Sequence, residues 1–191
     1  MNQINRCDWA DAHPLLRHYH DTEWGVPLHD DTKLFEFLVL DAFQAGLSWL
    51  TVLKKREAFR EAFDNFNPGS IACYGEEKVE MLMQNPDIIR NRLKIKGTIR
   101  NAQAFLSIRQ TCGSFDQYIW QFTGHKTIVN VFYRQKDLPA RSPESDAMSK
   151  ALRKDGFTFV GSTICYAFMQ AAGMVNDHLT TCFRHGEILS R

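Results

Sequence analysis

His178 and Cys182 stand four residues apart near the end of the chain. On a helical turn, side chains at that spacing point the same way, and a His with a Cys so placed suits a metal. The N-terminal segment supplies a matching Cys7 and His20. Two Cys and two His complete a closed tetrahedral Zn²⁺ site. With no open coordination position, such an ion is structural, and it pins the two termini together. The simpler reading of each residue alone is a small core thiol or a satisfied histidine.

A second set of residues lies in the run from Lys33 to Lys55. Leu34, Phe35, Phe37, Leu38, Val39 and Leu40 are apolar on nearly every side, the mark of a buried helix. Asp41 shares the face of Leu34 and Leu38, and a carboxylate there is costly unless something pairs with it. Gln44, the small pair Ala45-Gly46, and Leu47-Ser48-Trp49 follow. An acid, an amide and a Trp around a Gly break line a pocket for a planar polar ligand. The alternative is that Asp41 caps or pairs within the core.

The elements that must position these groups are helical. Residues 7–30 read as irregular with one short turn and hold Trp9, Tyr19, Trp24 and four histidines, a composition suited to the walls of a site. Asp31 or Thr32 is the expected cap of the buried helix. A second helix over 49–63 ends at Asn67-Pro68-Gly69. Helices over 76–84, 87–110 and 115–122 follow, the second carrying Arg90, Arg92, Lys94, Lys96, Arg100 and Arg109. That charge run is either a solvated face or a phosphate-contacting one. Residues 123–141 are the least regular, with 128–132 briefly extended. Ser142 caps a helix that has Pro143 at its first position. It runs to Lys154, a tight turn leads from Gly156 to Gly161, and a last helix covers 162–172. Two helices joined by so short a turn make a helix–hairpin–helix candidate, in which Gly161 and Ser162 present backbone N–H groups to a DNA phosphate.

The chain has 191 residues, 44% hydrophobic and 24% charged, with a formal net charge of +1. That balance excludes a strongly basic scaffold, so any nucleic-acid contact comes from local clusters. The five scattered cysteines fit a reducing compartment. No apolar run is long enough to span a membrane, and no secretory leader is visible, so a cytoplasmic monomer is expected. The fold class is all-α: a single domain over 1–191, with a helical core at 31–172 that includes the hairpin unit at 142–173. Zinc-linked terminal segments at 1–30 and 174–191 flank it.

Several motifs now fall together. They are Cys7-Asp8-Trp9, Tyr19-His20-Asp21-Thr22-Glu23-Trp24-Gly25-Val26-Pro27, Gln44-Ala45-Gly46-Leu47-Ser48-Trp49 continuing through Thr51-Val52-Leu53-Lys54-Lys55-Arg56-Glu57, Gly156-Phe157-Thr158-Phe159-Val160-Gly161, and Met169-Gln170-Ala171-Ala172-Gly173-Met174-Val175-Asn176-Asp177-His178. In order and spacing they resemble the DNA-3-methyladenine glycosylase I family over nearly the whole chain. The resemblance implies a monofunctional helix–hairpin–helix glycosylase that acts on double-stranded DNA containing 3-methyladenine. It places the zinc ligands on Cys7, His20, His178 and Cys182, and the base pocket on Trp9, Tyr19, Trp24, Asp41 and Trp49. Gly46, Leu47 and Ser48 become a DNA-inserting loop. Asp41, the candidate catalytic residue, either binds the base or activates water; the binding role is favoured because a cationic leaving group needs little help. This chain departs from the family pattern twice, with Asp41 at a position that carries Glu and Leu16 in place of a Tyr.

Two other classes compete. A zinc base deaminase has an H-x-E and a P-C-x-x-C motif; His185-Gly186-Glu187 matches the first, and the second does not occur. A non-catalytic reader of damaged DNA keeps the hairpin and basic helix but has no use for a buried carboxylate facing Trp49.

Overall fold

The computed structural model describes residues 4–189, so the outermost positions of the expected 1–191 domain lie outside the described residues. The chain folds around helix α2, Asp31–Gln44, whose residues from Leu34 to Phe43 are all buried. Helices α3 (Trp49–Ala62), α6 (Arg92–Cys112), α7 (Phe115–Trp120) and α9 (Ser162–Ala171) pack against it. A helix apolar all round has nowhere to lie but the centre of the core. Its cap is Asp30, which accepts from the Lys33 amide at 2.8 Å. Asp31, expected in that role, instead accepts from the amides of Phe115 and Asp116 at 3.2 and 2.8 Å. It thus joins the starts of α2 and α7.

The expectation for residues 7–30 is corrected by a nine-residue helix, α1, at Pro14–Thr22. Pro14 occupies its first turn, and the imidazole of His13 accepts from the Leu15 amide at 3.1 Å. Histidine is an uncommon cap, and that hid the start signal. Asn67-Pro68 likewise opens an element rather than closing one, capping the short α4 at Pro68–Ala72. Helix α5 covers Glu76–Gln84, the expected span. The next helix starts later than its apolar pattern suggested. Asn91 caps the Lys94 amide at 3.1 Å, so residues 87–91 stay outside α6.

Ser142 and Ser145 form a capping box at the start of α8, Pro143–Lys154. The turn to α9 carries positive φ at Gly156 (94°) and at Phe159 (56°). It is held on α6 by Asn101, whose amide donates to the Thr158 carbonyl at 3.0 Å and whose oxygen accepts from the Thr158 amide at 2.8 Å. The fold is mostly helical, with one departure from all-α. A two-residue parallel pair, β1 (Ile128–Val129) with β2 (Val175–Asn176), lays the irregular stretch beside the C-terminal segment. Helix α10, Phe183–Leu189, closes the described chain.

The two ends meet at the far end of α9. Gly25 donates to the Gln170 carbonyl at 3.0 Å, Leu28 to Ala172 at 3.1 Å, and Phe183 to Asn5 at 3.0 Å. Gly173, at φ 69°, lies so close to the strap formed by Val26 and Pro27 that a Cβ would come 2.3 Å from the Val26 carbonyl carbon. Gly173→Ala therefore combines backbone strain with overlap against backbone, and should cost about 2–4 kcal/mol. Urea unfolding should show this as a lowered midpoint with an unchanged slope. An unchanged midpoint would contradict the close approach.

Candidate functional site

Cys7, His20, His178 and Cys182 come together from three separate places: the N-terminal segment, α1 and the turn before α10. They are fully buried, and their donor atoms all lie within 4.8 Å of one another. His178 and Cys182 reach this arrangement from an irregular turn between β2 and α10, not from the helical turn that their spacing suggested. His178 Nδ1 is 3.2 Å from His20 Nε2 and 3.7 Å from Cys7 Sγ. Cys182 Sγ is 3.4 Å from His20 Nε2 and 3.6 Å from His178 Nδ1. A tetrahedral ion with metal–sulfur and metal–nitrogen bonds of about 2.3 and 2.0 Å has donor–donor edges of about 3.3–3.8 Å. The cluster fits a four-coordinate metal.

The surroundings hold both imidazoles in ligand form. His178 Nε2 donates to the Trp24 carbonyl at 3.0 Å, freeing Nδ1 for a metal. His20 Nδ1 donates to Asp21 at 2.8 Å, and Asp21 is itself held by Arg6 through contacts of 2.8 to 3.0 Å. Such outer partners fix tautomer and ring orientation. Burial holds the His178 imidazolium pKa down and so favours the neutral ligand form. The hydrogen bond between Cys7 and Cys182 lowers the Cys182 thiol and raises that of Cys7. Gly25, at φ 77°, permits this packing, since a Cβ there would sit 2.9 Å from His178 Nε2.

The five expected pocket residues, Trp9, Tyr19, Trp24, Asp41 and Trp49, all line one cavity of about 320 Å³. The ring centroids of Tyr19 and Trp49 are 5.3 Å apart, and Trp9 meets Trp24 edge-on at 5.1 Å. Leu16 and Gln44 also line it. Asp41 is buried, and its Oδ2 has no hydrogen-bond partner among the described residues; nor has the buried Nε1 of Trp49. An orphaned acceptor and an orphaned donor thus border the same space. The core pairing considered for Asp41 is not made at Oδ2. Burial pushes the Asp41 carboxyl well above the usual range, and burial together with the nearby Asp41 raises the Tyr19 hydroxyl.

A larger cavity, about 560 Å³, also borders Tyr19. Its buried charges are matched: Arg56 bridges Glu23 at 2.7 Å and Glu36 at 2.6 Å, and Arg60 reaches Glu36 at 2.8 Å. This network clamps α1 to α2 and α3, and so holds Tyr19 opposite Trp49. Sequence reasoning assigned it no role. Gln135, Leu138 and Gln170 also line the smaller cavity unforeseen. Gln170 alone had a signal, being half a turn from the end of α9; the other two come from the irregular stretch, where no periodicity marks a face.

Gly46, Leu47 and Ser48 form an exposed loop beside the cavity, with Gly46 at φ 84° and Ser48 accepting from the Thr51 amide to start α3. Leu47 is 44% exposed, an apolar side chain held out at the mouth. Gly161 and Ser162 stand at the opposite end of α9 from Gln170, and that helix start has no side-chain cap. The basic run on α6 is largely paired within the protein: Arg92 with Glu80, Lys96 with Glu76, and Arg109 with Asp31. The solvated-face reading therefore holds for these three. His185 is engaged with the Asn130 carbonyl at 3.0 Å and stands outside the metal cluster, which removes the deaminase motif.

The mostly helical fold is that of a known class. The methyladenine glycosylase family profile matches residues 9–185, and the chain belongs to that family. It is 49% identical over 179 residues to the Escherichia coli K12 protein DNA-3-methyladenine glycosylase 1, an alignment covering 94% of this chain and 96% of that one. A crystal structure of a 3-methyladenine DNA glycosylase I superposes with a TM-score of 0.92 at 51% identity, covering 94% and 98% of the two chains. The Staphylococcus aureus 3-methyladenine DNA glycosylase I, solved to explain its recognition of 3-methyladenine, gives 0.91 at 36% identity over 94% and 96%.

The raised Asp41 carboxyl has a consequence for stability. Between its unfolded and folded values the native state binds more protons than the unfolded state, so stability falls as pH rises through that window. Asn has no such titration. Asp41→Asn should therefore melt higher than the parent protein at pH 8, with a gain that shrinks as pH is lowered towards 4. A chain of this size shifts by about 2–4 °C per kcal/mol. A difference in melting temperature that is flat with pH would show that Asp41 titrates normally.

Proposed function

We propose that the protein is a monofunctional DNA glycosylase that hydrolyses the N-glycosidic bond of 3-methyladenine in alkylated double-stranded DNA. It releases the free base and leaves an abasic site. The observation that carries this is the unpartnered Oδ2 of Asp41 at an aromatic cavity, together with the unpartnered Trp49 N–H, among the described residues. Methylation at N3 places a positive charge on adenine. A buried carboxylate favours that cation over the neutral base, while Trp49 and Tyr19 offer π faces, worth about 0.5–2 kcal/mol to a cation. Asp41 accepts hydrogen bonds from the base edge, Tyr19 gives a second polar contact, and Trp9 and Trp24 wall the site. The base must leave the stack to arrive there, at a cost of a few kcal/mol that is least for a damaged pair. Leu47, between Gly46 and Ser48, fills the gap left behind, as apolar wedges do.

The chemistry follows from the charge. As the bond between C1′ and the base breaks, its electron pair neutralises the methylated ring, so the leaving group needs no proton. Water adds its oxygen to C1′ and loses a proton to solvent. No lysine lines the cavity, which argues for hydrolysis without a Schiff base or strand cleavage.

The hairpin between α8 and α9 acts as a helix–hairpin–helix unit. The amides at Gly161 and Ser162 meet a DNA phosphate at the positive end of α9. Cys7, His20, His178 and Cys182 hold one structural Zn²⁺, which when bound cross-links the two terminal segments. The protein works as a monomer in the cytoplasm.

Base release from methylated duplex DNA, with the freed bases separated and identified, tests the reading. Selective release of 3-methyladenine is expected. A hydrogen bond to a charged group is worth about 1.5–3 kcal/mol, so Asp41→Asn should lose about ten- to a hundredfold in kcat/KM. Binding of methylated DNA without released base would make the protein a lesion reader instead. Metal analysis of the purified protein should give one zinc per chain, and Cys182→Ala should lose both the zinc and several degrees of melting temperature. Zinc-free protein that melts at the same temperature would remove the ion from the account.

A further inference from the structure

Lys94 is buried in the third position of α6, and no carboxylate pairs with it among the described residues. Both features run against preference. A cation near a helix N-terminus opposes the helix dipole, and burial without a counter-ion lowers the lysine pKa, as it does here. Its ammonium donates instead to two backbone carbonyls, Phe43 at 2.9 Å and Ala45 at 2.8 Å. These belong to the last turn of α2 and the residue that caps it, among the groups a helix end leaves without partners. The loop of Gly46, Leu47 and Ser48 begins at the very next residue. Its own anchors are few: the Leu47 amide donates to the Gln44 carbonyl, and Ser48 turns back to cap α3. Gly46 takes a positive φ of 84°, which favours glycine, and Leu47 is 44% exposed.

We propose that Lys94 is a positioning residue for base extrusion: by fixing the Phe43 and Ala45 carbonyls it holds Leu47 projected for insertion. This rests on the reading of Leu47 as the wedge. Lys94 touches neither the base nor the reacting bond, and it is absent from the cavity wall. Its effect belongs to the step that brings a nucleotide out of a duplex. It does not belong to recognition of a base already in the pocket.

The test compares Lys94→Met, Leu47→Ala and the double variant. Each is assayed for kcat/KM on duplex DNA containing 3-methyladenine, and for binding of free 3-methyladenine by tryptophan fluorescence. Lys94→Met should lose at least tenfold on the duplex while free-base affinity stays within about twofold. Because both residues act through one wedge, the double variant should be no worse than Leu47→Ala alone, the non-additivity expected of groups acting as a unit. Lys94→Arg, which keeps the charge, should recover much of the activity. Near-normal duplex activity in Lys94→Met would overturn the proposal. So would an equal loss of free-base binding, or a double variant whose losses multiply. Should Lys94→Met fail to fold, Lys94→Gln takes its place: duplex loss with normal free-base binding supports the proposal, and near-normal duplex activity or parallel loss of both overturns it. If Leu47→Ala retains full duplex activity, the wedge reading itself fails, a result distinct from any failure of Lys94.

Discussion

An acidic group confined in apolar surroundings is the constraint on which this structure turns. Asp41 projects from α2, which buries Leu34, Phe35, Leu38, Val39, Leu40 and Phe43 against α3, α6, α7 and α9. A helix packed that completely cannot rotate Asp41 towards water. The cost of ionising Asp41 is therefore built into the resting fold, and in the proposed function a cationic base would offset it. Nearby groups are arranged so as not to relieve it first. Arg56 and Arg60, in the network beside Tyr19, are engaged with Glu23 and Glu36. Lys94 is turned towards backbone carbonyls.

The second dependence is closure of the chain. One wall of the cavity, with Trp9, Leu16, Tyr19 and Trp24, comes from the first 24 residues, and the opposite wall comes from α2, α3 and α9. The first segment is too short to own a core. It is held by the Cys₂His₂ cluster, by Arg6 on Asp21, and by backbone bonds to the end of α9 that Gly173 alone leaves room for. The cluster and the cavity share parts: Trp9 packs edge-on against His20 at 5.3 Å, and the Trp24 carbonyl orients His178. Losing the cluster would therefore be felt first in the aromatic wall.

Much of this was legible in the chain because the signals are local or chemically specific. The apolar run of α2 and the Ser142-Pro143 start each have one physical reading that dominates, whereas the interrupting acid and the Cys and His residues also read as core groups until the family motifs are set beside them. What stayed hidden depends on partners distant in sequence. Asp30 rather than Asp31 caps α2 because Asp31 is claimed by the α7 amides about eighty positions away. His13 and Asn67-Pro68 were missed as helix starts: one is an unusual cap, and the other reads equally well as a stop. Lys94 looked like one more charge on a solvated face, and only its burial separates it from Arg92 and Lys96. Gln135 and Leu138 reach the cavity through a strand pairing two residues long, too brief to leave a pattern.

The account rests on Asp41 being held against its ionisation until a cation arrives. Carbon-detected NMR of the Asp41 carboxyl reads this directly, as a pH titration of the free protein and of the protein saturated with a fixed-charge 3,9-dialkyladeninium. The account predicts a midpoint well above the ordinary carboxylate range in the free protein, and a carboxylate that stays ionised to much lower pH in the complex. A midpoint near 4 in both states would contradict it, leaving Asp41 an ordinary solvated acid beside the site.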